Sequence, residues 1–175
     1  MKIAITGHTK GIGKAIADVF SDQGYEVIGL SRSNGYDIKD TQKIVDASKD
    51  CDVFINNAYH EFEQEKILKT MNIQWKGTDK VIISIGSIVT DYPRIERQLD
   101  NQDWPYRNHK RALRDSFRRM IGFPMSCRLV LISPGAIDTD MIKQHDCVKM
   151  APLEVAKVVR YALENKFIKE LMIYA

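Results

Sequence analysis

The chain has 175 residues, 44% of them hydrophobic and 28% charged, with a formal net charge of +3. That length suits one domain with a real core and is too short for two ordinary ones, and the composition excludes a disordered or low-complexity chain. The charge is too mild for a nucleic-acid footprint, and apolar runs of only a few residues exclude a membrane-spanning helix.

The opening "MKIAITG" enters a strand pattern at once, over residues 2 to 6, and lacks a signal-peptide layout, so a cytoplasmic protein is expected. A helix follows from Gly11, with Ile12, Ala15, Ile16, Val19 and Phe20 as its apolar stripe and Gly24 as its C-terminal stop. Then come a strand over 26 to 30, a very short strand around Tyr36 to Ile38, and a helix over Thr41 to Ser48 opened by Asp40 or Thr41. The strand over 52 to 56 leads to a helix over Glu63 to Trp75, with Ile67, Leu68, Met71 and Trp75 at helical spacing. After a strand over 80 to 85 the periodicity predicts a long helix, Trp104 to Ile121, a strand over 128 to 132, a helix over Pro152 to Asn165 and a last strand over 170 to 174. Strands that read as continuous apolar runs, separated by helices, form a parallel sheet covered on both faces. The expected fold is therefore α/β, a Rossmann-type doubly wound sheet in a single domain spanning 1 to 175.

Cys51, Cys127 and Cys147 make an odd count without ligand spacing, which indicates reduced thiols. His8, His60, His109 and His145 are scattered in the same way, so no metal site is expected.

Directly after the first strand stands "TGHTKGIGKAIA", with Gly7, Gly11 and Gly13 leading into the first helix. Gly7 permits the tight turn, Gly11 lets backbone N–H groups approach a pyrophosphate, Gly13 allows close packing, and the helix N-terminus attracts the anion. After the second strand, "GLSRS" lacks the carboxylate that would grip a ribose 2′-hydroxyl. Arg32, with the hydroxyls of Ser31 and Ser33 and the nearby cation of Lys10, suits a 2′-phosphate instead, so NADP(H) is the expected cofactor.

Further motifs follow in order: "NNAY" (56 to 59), "MNIQWKG" with Asn72, "ISIGS" ending at Ser87, "YRNHK" (106 to 110) and "SPGAIDT" (133 to 139). With the TGxxxGIG turn, this series resembles the short-chain dehydrogenase/reductase family from Lys2 to about Tyr174. The resemblance implies a cofactor set of Gly7, Thr9, Lys10, Gly11, Ile12, Gly13, Ser31, Arg32 and Ser33. It adds Asp37 and Ile38 beside the adenine, Asn57 and Ala58 beneath the cofactor, and Pro134, Gly135, Ile137 and Thr139 at the carboxamide, with Tyr106 and Lys110 reaching the same molecule. It implies that Ser87 polarises a carbonyl, Tyr106 exchanges the proton, Lys110 stabilises the phenolate, and Asn72 holds a water chain to Lys110. Tyr59 departs from the family, standing where a glycine is usual; it either walls the substrate or is a partly buried aromatic without a role.

Tyr106 and Lys110 lie one helical turn apart, and the series continues through Leu113, Phe117 and Met120, so the pair faces the sheet. Arg107, Arg111, Arg114 and Arg118 form a separate stripe expected to face solvent or an acidic partner. The segment after Thr139 leaves little room for a substrate lid, and the chain stops at Ala175 without the glycine-rich tail common in the family. The expected function is NADP(H)-dependent hydride transfer on a small carbonyl or alcohol substrate by a homo-oligomer, dimer or tetramer, without nucleic-acid or membrane partners. The alternatives are a non-catalytic NADP(H)-sensing protein of the same fold and an interaction scaffold built on the arginine stripe.

Overall fold

Alternation of short apolar runs with amphipathic helices produces six parallel strands in one sheet. The computed structural model describes residues 1–91, 103–124, 126–144 and 146–174; His145 and Ala175 lie outside them. The strands are β1 (Lys2–Thr6), β2 (Glu26–Leu30), β3 (Val53–Asn56), β4 (Val81–Ile85), β5 (Arg128–Pro134) and β6 (Glu170–Ile173). The helices between them are α1 (Gly11–Asp22), α2 (Thr41–Ser48), α3 (Glu63–Gln74), α4 (Asp103–Met120) and α5 (Pro152–Glu164). The order across the sheet is β2-β1-β3-β4-β5-β6, with every neighbouring pair parallel. From β1 the chain steps outward to β2 and then returns to the other side of β1 as β3. This reversal opens a crevice at the carboxyl ends of β1 and β3.

Successive strand residues point to opposite faces, and each face is apolar. Ile3 and Ile5 of β1, with Ile55, Ile83 and Val130, pack against Ile16 and Phe20 of α1 and Val155 and Val159 of α5. Ala4, Phe54, Ile82 and Leu129 meet the other layer, formed by Ile44 of α2, Ile67, Leu68 and Met71 of α3, and Leu113 and Phe117 of α4. Cys51 and Cys127 are buried thiols, while Cys147 is an exposed one. Among the described residues no helix is long and apolar enough to cross a membrane.

Two expectations are corrected. Tyr36–Ile38 forms no strand; the segment is a coil after the short 3-10 turn Arg32–Asn34, tied back by the Tyr36 amide donating to the Ser31 carbonyl at 2.8 Å. The arginines of α4 do not form one solvated stripe: Arg111 and Arg118 are exposed, but Arg107 and Arg114 are buried. The helix lies against the short 3-10 turn Ile88–Thr90 after β4, which covers these two side chains.

Two glycines show different requirements. Gly24 ends α1 at φ +78°, where a Cβ meets nothing within 4 Å, so only the left-handed backbone favours glycine. At Gly13 space decides, because a Cβ would stand 2.1 Å from the Gly7 carbonyl oxygen and 2.6 Å from Asn57 Nδ2. Gly13→Ala is therefore expected to cost about 1–3 kcal/mol of unfolding free energy by urea denaturation, while Gly24→Asn loses less. Equal stability of Gly13→Ala and wild type would contradict the close packing of the turn.

Candidate active site

The crevice is a cleft of about 1830 Å³ along the carboxyl edge of the sheet. All the residues expected to hold the cofactor line it except Gly13, which packs behind the turn against Gly7 and Asn57. Ser87, Tyr106 and Lys110 line its other end.

At the nucleotide end, the first-turn N–H groups of α1 lack intrahelical partners, as at every helix start. Lys10 occupies the cap position without a side-chain cap bond, and no acidic residue stands in the first turn. This terminus suits an anion. Lys10 Nζ lies 3.5 Å from Asp140 Oδ2, both side chains being more than three-quarters exposed, so the pair bridges the mouth of the cleft. Beyond β2, Arg32 is exposed, and Ser31 Oγ lies 2.8 Å from Ser33 Oγ. Asn34 Oδ1 accepts from the Ser31 amide at 2.8 Å and its hydroxyl at 3.0 Å. Asp37 accepts from the Lys39 amide at 2.9 Å. A dinucleotide fits these residues: an uncapped helix start for its pyrophosphate, and a guanidinium with hydroxyls, rather than a carboxylate, beside its ribose.

The floor is stitched by Thr6, whose hydroxyl accepts from the amides of Asn57 (2.9 Å) and Ala58 (3.0 Å). Asn57 Nδ2 returns a bond to the Thr6 carbonyl at 3.0 Å. Across the cleft, the Gly135 amide donates to the Ile173 carbonyl at 2.8 Å, and Ile137 is buried in a bridge with Met150. Thr139 Cγ2 closes on the glycine turn, 3.2 Å from where a Cβ of Gly11 would lie.

The other end carries the titratable groups. Ser87 follows β4 and caps the turn Ile88–Thr90, its hydroxyl accepting from the Val89 amide at 3.3 Å. Ser84, by contrast, is fully buried within β4. Burial pushes the Tyr106 phenol up to about 12; neighbouring Ser87 opposes the rise and Tyr59 adds to it. A lowered phenol was the expectation, but the nearby ammonium is directed elsewhere. Lys110 Nζ donates to Gln64 Oε1 and to the Ile85 carbonyl, each at 2.8 Å. It stands 5.6 Å from the Tyr106 ring centroid and 5.4 Å from that of Tyr59. Burial lowers Lys110 to about 7.

The partner of Lys110 is thus Gln64, and not Asn72. Asn72 lies further along α3, where Nδ2 contacts Met120 Sδ at 3.4 Å and Oδ1 accepts from Cys127 Sγ at 3.5 Å. It does not line the cleft. Gln64 is buried, and its Nε2 donates to the carbonyls of Asn56 (2.7 Å) and Ile85 (2.9 Å), while Asn56 Nδ2 donates to the Gln64 carbonyl at 2.7 Å. The signal for Gln64 was present: with Ile67, Leu68 and Met71 it falls at i, i+3, i+4 and i+7 of the inward stripe of α3. Tyr59 meets the Tyr106 ring edge-on with centroids 4.9 Å apart, and its hydroxyl lies 2.8 Å from His109 Nδ1. Among the described residues no cluster of His, Cys, Asp or Glu could hold a metal.

Residues 3–88 match the model of the NAD dependent epimerase/dehydratase family. Solved structures match nearly the whole chain. A 3-alpha-hydroxysteroid dehydrogenase from Pseudomonas sp. B-0831, complexed with NADH, gives a TM-score of 0.80 at 19% identity over 99% of this chain and 95% of that one. A short chain dehydrogenase from Burkholderia cenocepacia J2315, in complex with NADP, gives 0.81 at 19% identity over 99% and 88%. The chain has the fold of the short-chain dehydrogenases and reductases. An alcohol dehydrogenase from the archaeon Thermococcus sibiricus, complexed with 5-hydroxy-NADP, shares this fold with a TM-score of 0.72 at 23% identity over 99% and 96%. No curated protein matches the sequence.

Within this short-chain dehydrogenase fold, Lys110 makes stability depend on pH. Its folded value near 7 lies below the ordinary 10.5, so between them the unfolded chain binds more protons and stability rises with pH. The contribution is complete above the unfolded value and is lost as pH falls through the folded one. In urea titrations, the stability of wild type relative to Lys110→Met is expected to increase across this window. A difference that stays constant with pH would rule out a buried, depressed Lys110.

Proposed function

We propose that this protein is a short-chain dehydrogenase/reductase that transfers hydride between NADP(H) and a small carbonyl or alcohol substrate. One observation carries the proposal: Ser87, Tyr106 and Lys110 line the same end of the cleft, with Lys110 Nζ 5.6 Å from the Tyr106 ring centroid, beyond an anion-ready helix start. The bound nicotinamide supplies or accepts the hydride. The chain's own residues handle charge and proton. Ser87 donates a hydrogen bond to the carbonyl oxygen, favouring the negative charge that develops there. Tyr106, whose value near 12 keeps it protonated, gives its proton to the alkoxide, a much stronger base. Lys110 Nζ, 5.6 Å from the Tyr106 ring centroid but bonded to Gln64 and the Ile85 carbonyl, does not lower the phenol at rest; it supplies positive charge beside the phenolate once that charge forms. Tyr59, locked against Tyr106 and His109, forms a wall that favours small substrates.

The choice of NADP(H) rests on Arg32. It stands after β2 with Ser31 and Ser33, and Lys10, Lys14 and Lys39 line the same cleft. A planar guanidinium suits a 2′-phosphate.

The primary test is NADPH oxidation with a panel of ketones and aldehydes, followed by absorbance. Tyr106→Phe is expected to reduce kcat by about a hundredfold or more, the scale of general acid catalysis. Turnover at full rate in that variant would overturn the mechanism. Tight NADPH binding without turnover of any carbonyl would favour the non-catalytic sensing role. For the cofactor, Arg32→Ala is expected to weaken NADPH binding by about ten- to a hundredfold, the worth of a charged hydrogen bond, and to leave NADH nearly unchanged. Equal losses for the two cofactors, measured by fluorescence titration, would sink the NADP(H) assignment.

A further inference from the structure

Two guanidinium groups are buried on α4, and both reach the turn that follows Ser87. Arg107, 2% exposed, donates from Nε to the Val89 carbonyl at 3.1 Å, and its guanidinium lies 5.2 Å from the Trp104 ring centroid. Arg114, 9% exposed, donates from Nη1 to the Thr90 carbonyl at 3.0 Å and to the Asp91 carboxylate. Thr90 is buried too, and its hydroxyl bonds the Ser87 carbonyl at 3.0 Å and Asp91 Oδ2 at 2.9 Å.

Burying a guanidinium is costly unless its bonds are made. Here the acceptors are three consecutive residues, Val89, Thr90 and Asp91, immediately beyond Ser87. The donors sit on the helix that carries Tyr106 and Lys110. Arg107 adjoins Tyr106, and Arg114 follows Lys110 by one turn. The same helix therefore supplies the phenol and fixes the segment that follows Ser87.

We propose that Arg107 and Arg114 are positioning residues that clamp the Ser87 turn to α4 and so set the Ser87–Tyr106 geometry. This rests on the proposed role of Ser87 and Tyr106, and extends it. The two arginines act through Ser87, and so differ from groups that bind cofactor. Loss of either clamp leaves the nucleotide end intact and misplaces the hydroxyl, the kind of displacement that costs rate steeply.

The test combines kinetics with hydrogen exchange measured by mass spectrometry on the full chain. Arg107→Met and Arg114→Met are expected to lower kcat by about ten- to a hundredfold with the KM for NADPH nearly unchanged. Exchange should accelerate in peptides covering 87–91 and remain as in wild type through β1 and α1. Arg111→Met, on the exposed side of α4, is the control and should match wild type in both measurements. If an arginine variant does not fold, Thr90→Val, an isosteric change, removes the hydroxyl link between Ser87 and Asp91 and should give the same local pattern at smaller amplitude. Wild-type kcat, or exchange raised uniformly along the chain, would overturn the clamp. Exchange needs no turnover, so a wild type that oxidises no NADPH while the local pattern appears defeats the catalytic reading and leaves the clamp standing.

Discussion

The buried ammonium of Lys110 is the constraint around which this end of the molecule is built. An unpaired charge in such a place would cost several kcal/mol, so acceptors must be brought to it from separate elements. Gln64 of α3 offers its side-chain oxygen and Ile85 at the end of β4 its carbonyl. Gln64 can do so because its amide nitrogen is spent on Asn56 and Ile85, and Asn56 answers through the Gln64 carbonyl. One cation thus joins the ends of β3 and β4 to α3 and α4.

That network also decides how Tyr106 behaves. With Lys110 turned toward Gln64 and the Ile85 carbonyl, desolvation dominates the phenol, and only Ser87 pulls in the opposite direction. A phenol held this way is a proton donor at neutral pH. Its charged form needs further positive charge close by. Geometry at Ser87 gains weight accordingly, because Ser87 is the neighbour that acts to lower the phenol.

Much of this was legible in the sequence where the information is local. The strands showed as β-branched runs, and the glycine turn, Ser87, Tyr106 and Lys110 lie in short motifs whose strand-turn-helix setting the periodicity supplied. Boundaries moved by a residue or two, as helix and strand ends do. What escaped depended on partners distant in the chain. Gln64 stood on the inward stripe of α3, but a polar residue there declares its role only once Lys110 is seen against it. The role assigned to Asn72 came from resemblance, and α3 instead turns it toward Met120 and Cys127. Arg107 and Arg114 escaped because their acceptors include backbone carbonyls, which every residue carries and no side-chain pattern marks. Periodicity separated the arginines from the apolar stripe, but could not show that a turn after β4 would cover two of them.

The two ends of the cleft differ in how much free energy their charges commit. At the mouth, Lys10 and Asp140 form an exposed pair, and such pairs contribute between nothing and about 1 kcal/mol. A phosphate arriving at the start of α1 can therefore take Lys10 from Asp140 at little cost, and Arg32 is exposed on the same cleft. At the other end, Lys110, Arg107 and Arg114 are buried and bonded to Gln64, Val89 and Thr90, so breaking those bonds would leave a buried charge short of partners. Adaptability is confined to the end with the uncapped helix start. Rigidity is concentrated where a serine and a tyrosine must stay in register, and there the fold invests its buried charges.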